Sequence, residues 1–117
     1  MTRDGRGQRS WLLALPLLFI VPLAGWGSSG NHTSPKRQVV EMNTAGFHPP
    51  ELQLAVGDTV IWANHDLVPH TSTASDSSWD TGAVNPDQEG RFVPKHPGTF
   101  QYSCTFHPVM RGKLIVR

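Results

Sequence analysis

The only cysteine of the chain, Cys104, stands three residues before His107 and six before Met110. Thiolate, imidazole and thioether are soft donors. A set of this kind selects copper over harder cations, and one cysteine with two histidines and a weak axial methionine makes a one-electron site. The i, i+3, i+6 spacing could line one side of a helix. Pro108 argues against that, because it disfavours the α conformation at His107 and removes an amide from the segment. The spacing therefore predicts a tight loop between two strands. One more ligand has to come from elsewhere in the chain.

Other chemistries fit these residues less well. A thiol hydrolase needs a general base beside the cysteine, an oxyanion site and a cleft, and no second catalytic group accompanies Cys104. A structural zinc module has no use for a thioether. A lone cysteine makes no internal disulfide, so in an exported protein a bound metal is the natural way to hold it. From residue 28 onward seven Lys/Arg face eight Asp/Glu, a net charge of −1. A near-neutral domain with no basic stripe has no electrostatic footprint for nucleic acid.

The elements that must position these donors are short. Arg3, Arg6 and Arg9 precede an apolar run from Trp11 to Trp26, with small residues after it. That order is a secretory signal. The run spans about 24 Å as a helix, short of the ~30 Å hydrocarbon core, and Pro16 and Pro22 weaken it. Trp11 and Trp26 bracket it as interfacial anchors do, so an uncleaved tether is the alternative. The expected organisation is a signal peptide or N-terminal membrane anchor over 1–27, a flexible lead-in over 28–37 and one domain over 38–117. Strands are expected at Gln38–Asn43, Leu52–Val56, Thr59–Asn64, Pro69–Ala74, Arg91–Val93, Thr99–Ser103 and Lys113–Val116. Ser75–Trp79 reads as irregular and Gly82–Gly90 as a connection. Strands at this spacing, punctuated by Gly and Pro, indicate an all-β sandwich or barrel of about 7–8 strands.

Of the six histidines, His32 falls in the lead-in and His96 in the turn that opens the strand leading to Cys104, at the opposite end of the sandwich. His48 and His65 lie in loops of uncertain pole. His70 opens a strand just after the stiffening Pro69 and is the best single candidate. Trp62 belongs to the core, and Asp76, Asp80, Asp87 and Glu89 read as a solvated face.

The segments Phe47-His48-Pro49, Val56-Gly57-Asp58-Thr59-Val60-Ile61-Trp62, Asn64 and His70-Thr71 resemble the first half of a plastocyanin-type cupredoxin. Trp79-Asp80-Thr81-Gly82, Phe92, Pro97-Gly98-Thr99-Phe100 and Tyr102-Ser103-Cys104 resemble the second half. Pro69-His70 and the short Cys104-x-x-His107-x-x-Met110 loop are most similar to the amicyanins within that family. The resemblance implies a Greek-key β-sandwich holding one type 1 (blue) copper on His70, Cys104, His107 and Met110. It implies a carrier of single electrons outside the cytoplasm, in the periplasm or on the outer face of the cytoplasmic membrane, and not an enzyme. An extracytoplasmic copper carrier without an electron-transfer role is the alternative. The expected partner is a redox protein docking briefly on an apolar collar of Leu67, Val68, Pro69, Phe106, Pro108 and Val109 around His107, with the chain a monomer that binds no nucleic acid. Thr71 and Thr105 are expected to bond across the two ligand loops, although Asn is common in the family at the first. Phe106 stands where these proteins commonly have proline. It keeps an amide that a tight loop could aim at the Cys104 sulfur.

Overall fold

The structure is a computed structural model that describes residues 14, 16–20, 25, 27, 30 and 33–117. Most of the signal or anchor expected over 1–27 lies outside the described residues. No helix among those described is long and apolar enough to cross a membrane. The chain divides into two units, Met1–Asn31 and His32–Arg117, and the second carries the fold.

Eight strands make up that unit: β1 (Arg37–Asn43), β2 (Gly46–His48), β3 (Glu51–Leu54), β4 (Thr59–Asn64), β5 (Thr73–Ala74), β6 (Glu89–Phe92), β7 (Gly98–Ser103) and β8 (Arg111–Val116). They form two four-stranded sheets, ordered β2-β1-β4-β6 and β3-β8-β7-β5. The β1–β4 and β3–β8 pairs are parallel and the rest antiparallel. The expected all-β sandwich is what the chain builds. The chain switches sheets at five of its seven connections, so both faces close on one core.

Side-chain alternation explains which face each strand buries. Val40 and Met42 of β1, Leu114 and Val116 of β8 and Tyr102 of β7 point inward, and their neighbours in sequence lie nearer solvent. β4, paired on both sides, is buried almost throughout, and its Val-Ile-Trp run suits that place. Trp62 is fully buried and stacks on Trp79 at 5.7 Å, which in turn stacks on Phe92 at 4.8 Å. Gly112 faces Tyr102 in the β7–β8 register. A Cβ there would fall 2.2 Å from the Tyr102 ring, so only glycine lets the two strands close over that aromatic.

The departures from expectation that bear on the site fall in three segments. Pro69–Ala74 reads as a strand, yet only Thr73–Ala74 pairs as one. His70 forms an isolated bridge with Val84 instead. The reason is competition for the backbone: the Thr71 amide goes to the Cys104 sulfur at 3.3 Å and the Ser72 amide to the Thr81 hydroxyl at 2.9 Å. Side-chain acceptors thus take the donors that a ladder would need. The 82–90 connection ends early, because Glu89 and Gly90 already pair with Ala63 and Trp62. β8 begins at Arg111, two residues ahead of the expected Lys113.

Candidate metal centre

That early start of β8 matters to the donors. Ser103 and Arg111 are the last register pair of β7 and β8. Cys104 and Met110 therefore leave the ends of two paired strands, and residues 104–110 are the connection between them. The Cys104 amide donates to the Met110 carbonyl at 3.1 Å, and the Met110 amide to that of His107 at 2.9 Å. The loop is cinched by its own backbone, which Pro108 keeps out of helix. Cys104 and Met110 are buried, while His107 is exposed.

His70 enters from the other sheet's side through the long β4–β5 connection. Two backbone bonds with Val84, at 3.1 and 2.8 Å, hold it. Asn64 shapes the turn before it. Its fully buried amide donates to the Val68 and Val84 carbonyls, both at 2.8 Å, and its oxygen accepts the Asp66 amide at 2.8 Å. An unpaired buried amide would cost roughly 1–3 kcal/mol, so this network fixes the loop.

Donor atoms from the three side chains converge. The ligating atoms of His70, Cys104 and His107 all lie within 4.8 Å of one another. Cys104 Sγ is 3.8 Å from His70 Nδ1 and 3.8 Å from His107 Nδ1. Donors this close could share one ion, which fits the group that the donor chemistry selects. The Met110 backbone is bonded to Cys104 and His107, and its side chain is buried. Among the described residues, His48, His65 and His96 do not join the cluster, and His32 lies outside those residues.

The electrostatics favour a metal ligand over an inert thiol. Burial pushes the Cys104 thiol up, but the Thr71 amide, the two histidine rings and the His107 backbone outweigh it and leave the thiol lowered to about 6. For His70, burial opposes the charged form, and bonds to Asp66 and Cys104 overcome it, so its pKa is raised. Asp66 is held below the usual carboxylate range by His70 first and by the Leu67 amide second.

Asp66 is the residue that sequence reasoning missed. Its Oδ2 lies 2.8 Å from His70 Nε2. Reading residues 65–69 merely as a loop hid it, although a carboxylate four residues before a candidate ligand was the available signal. The Thr71–Thr105 contact is present, with the Thr105 amide donating to Thr71 Oγ1 at 2.9 Å. The Phe106 amide is a correction: the backbone amide that hydrogen-bonds the sulfur is that of Thr71, at 3.3 Å.

Comparison with known proteins places these features together. Residues 16–116 match the model of the cupredoxin-like domain family. The chain is 32% identical over 83 residues to amicyanin from Paracoccus denitrificans, across 67% of this chain and 63% of that protein. It is 34% identical over 85 residues to a Synechococcus plastocyanin, across 60% of this chain and 62% of that one. It thus spans less than two thirds of the length of either relative. Among solved structures, a Cu(I) form of an amicyanin variant superposes with a TM-score of 0.66 at 31% identity, over 74% of this chain and 87% of that one. A purple cupredoxin from Nitrosopumilus maritimus gives 0.64 at 25% identity, over 68% and 98%.

Proposed function

The chain is a member of the cupredoxin-like family, and on that premise we propose that it is a type 1 copper protein carrying single electrons between redox partners outside the cytoplasm. One observation carries the reading: the Cys104 sulfur lies 3.8 Å from each of two imidazole nitrogens, all three donors within 4.8 Å of one another, with a buried methionine tied to the same loop. His70, Cys104, His107 and Met110 are the proposed ligands. Copper supplies a one-electron couple between Cu(I) and Cu(II) there.

The chain's own residues do the rest. Cys104 offers a thiolate that is already favoured at neutral pH. Its position at the end of β7, bonded across to Met110, fixes the sulfur. A site held in one geometry by paired strands needs little rearrangement when the charge changes. His107 is the exposed member of the set and so the route by which the electron enters and leaves. Leu67, Val68, Pro69, Phe106, Pro108 and Val109 are all exposed on the two loops that carry the donors. They form the docking collar for a redox protein, and a small apolar contact of that kind releases quickly. Residues 1–27 act as a signal or an anchor, delivering the domain to the periplasm or to the outer face of the cytoplasmic membrane. The chain is a carrier and not an enzyme.

Adding Cu(II) to the purified full chain tests this. The expected result is an intense visible band from thiolate-to-copper charge transfer. Cys104→Ser should abolish that band and leave the far-UV circular dichroism of the sandwich unchanged, since a hydroxyl of similar volume replaces the thiol. A band that survives in Cys104→Ser removes the cysteine from the ligand set.

A further inference from the structure

A line of hydrogen bonds runs from the cysteine loop to a surface carboxylate, and counting protons fixes its direction. Asp80 Oδ1 lies 3.1 Å from Thr73 Oγ1. A carboxylate only accepts, so the one Thr73 hydroxyl proton points to it. Thr73 Oγ1 is also 3.0 Å from Thr71 Oγ1. Its proton being committed, Thr73 accepts there and Thr71 donates. Thr71 Oγ1 then offers only lone pairs to Thr105, whose amide and hydroxyl reach it at 2.9 and 3.2 Å. Each bond fixes the next.

Asp80 is exposed, but its place is set: the same Oδ1 accepts the Gly82 amide at 2.9 Å, and its backbone forms a bridge with Thr73. Chains of this kind polarise along their length, so a carboxylate at one end makes Thr71 Oγ1 a stronger acceptor at the other. Thr71 follows His70 and donates its own amide to the Cys104 sulfur at 3.3 Å. Whatever steadies Thr71 therefore steadies that contact with the thiolate.

We propose that Asp80 is a positioning residue that orients the Thr73 and Thr71 hydroxyls, so that Thr71 grips the Thr105 amide and holds the His70 and Cys104 segments in register. Its effect on the metal rests on the copper reading given above. Two effects of Asp80 oppose each other. Loosening the relay weakens the Thr71 amide's hold on the sulfur, leaves the thiolate a stronger donor and lowers the reduction potential. Removing a negative charge disfavours Cu(II) and raises it. Thr73→Val breaks the relay without touching any charge, and at ~1 M salt, where the Debye length is ~3 Å, the charge effect of Asp80→Ala is screened.

Amide hydrogen exchange on the metal-free full chain is the first measurement. Thr73→Val and Asp80→Ala should each lower Thr105 amide protection roughly three- to tenfold, because each removes one link of a hydrogen-bonded chain. The double variant should lose no more than either alone, since the links act in series, and Thr73→Ser should keep wild-type protection. Voltammetry of the copper-loaded protein is the second. Thr73→Val should lower the potential by about a threefold change in equilibrium constant, about 28 mV at ~59 mV per tenfold. Unchanged Thr105 protection, additive losses in the double variant, or an unchanged or raised potential in Thr73→Val overturns the proposal. A wild-type chain that gains no visible band with Cu(II) overturns the copper reading instead, and the exchange result then decides the relay on its own.

Discussion

The two ring nitrogens of His70 face different partners. Nδ1 faces Cys104 Sγ at 3.8 Å and Nε2 faces Asp66 Oδ2 at 2.8 Å. For Nδ1 to offer a lone pair, Nε2 must carry the proton, and the carboxylate accepts it. A carboxylate behind a ligating histidine fixes the tautomer and makes the ring a stronger donor. Cu(II) gains more from a strong donor than Cu(I) does, so Asp66 should hold the reduction potential down. Asp66→Asn keeps the shape and an acceptor oxygen while replacing a charged hydrogen bond by a neutral one. That exchange weakens the bond by about 1 kcal/mol, which at ~59 mV per ~1.4 kcal/mol raises the potential by about 40 mV. Voltammetry of both proteins at one pH checks it; a potential that stays put or falls would count against the role given to Asp66.

At the scale of elements, Asp58 joins three segments. Its carboxylate accepts the Lys36 amide ahead of β1 and the Ala55 amide after β3, each at 2.9 Å, and it stands one residue before β4. The Lys36 amide first, then that of Ala55, hold its pKa below the ordinary 3.8. A carboxyl depressed by folding stabilises the fold fully above its unfolded value, and that share is lost as pH falls through the folded value. Urea unfolding of the wild type should therefore show a midpoint that drops as pH falls below about 4. Asp58→Ala should start less stable by roughly 1–3 kcal/mol at neutral pH, from two amides left unpaired, and lose less on acidification. Parallel acid limbs for the two proteins would place the pH sensitivity elsewhere. These elements also show what a sequence makes legible. β4 is readable because the Val-Ile-Trp run states its burial locally, and Cys104, His107 and Met110 because one short loop carries all three. His70 could be favoured over His48 and His65 only through Pro69 and the family resemblance. The break in Pro69–Ala74 was not readable, because its cause is a sulfur more than thirty positions away. Asp66 was hidden likewise, since the turn aiming it at His70 is folded by the buried Asn64 amide.

At the scale of the whole molecule, the proposed carrier role raises the question of how a near-neutral domain would meet a redox partner without holding on to it. Beyond residue 28 its charges nearly cancel, so long-range steering is weak and the contact face decides. That face is apolar and open: Leu67 is 92% exposed, Val109 90% and Phe106 52%, around the exposed His107. Two copies of this chain can meet through the same collar, so electron self-exchange reports on the face without any other partner. Val109→Lys places a cation on each of two meeting faces. Like charges ~4 Å apart in water repel by ~1 kcal/mol, which slows encounter roughly fivefold at low ionic strength. At ~0.1 M salt the Debye length shortens to ~10 Å, and at ~1 M to ~3 Å, so most of the loss should return as salt is added. The potential should hardly move, because Val109 points into solvent and not at the sulfur. Self-exchange rates from NMR line broadening of mixed oxidised and reduced protein give the test across that salt range. A Val109→Lys variant that exchanges as fast as wild type at low salt would mean that the electron leaves by a face other than the one around His107.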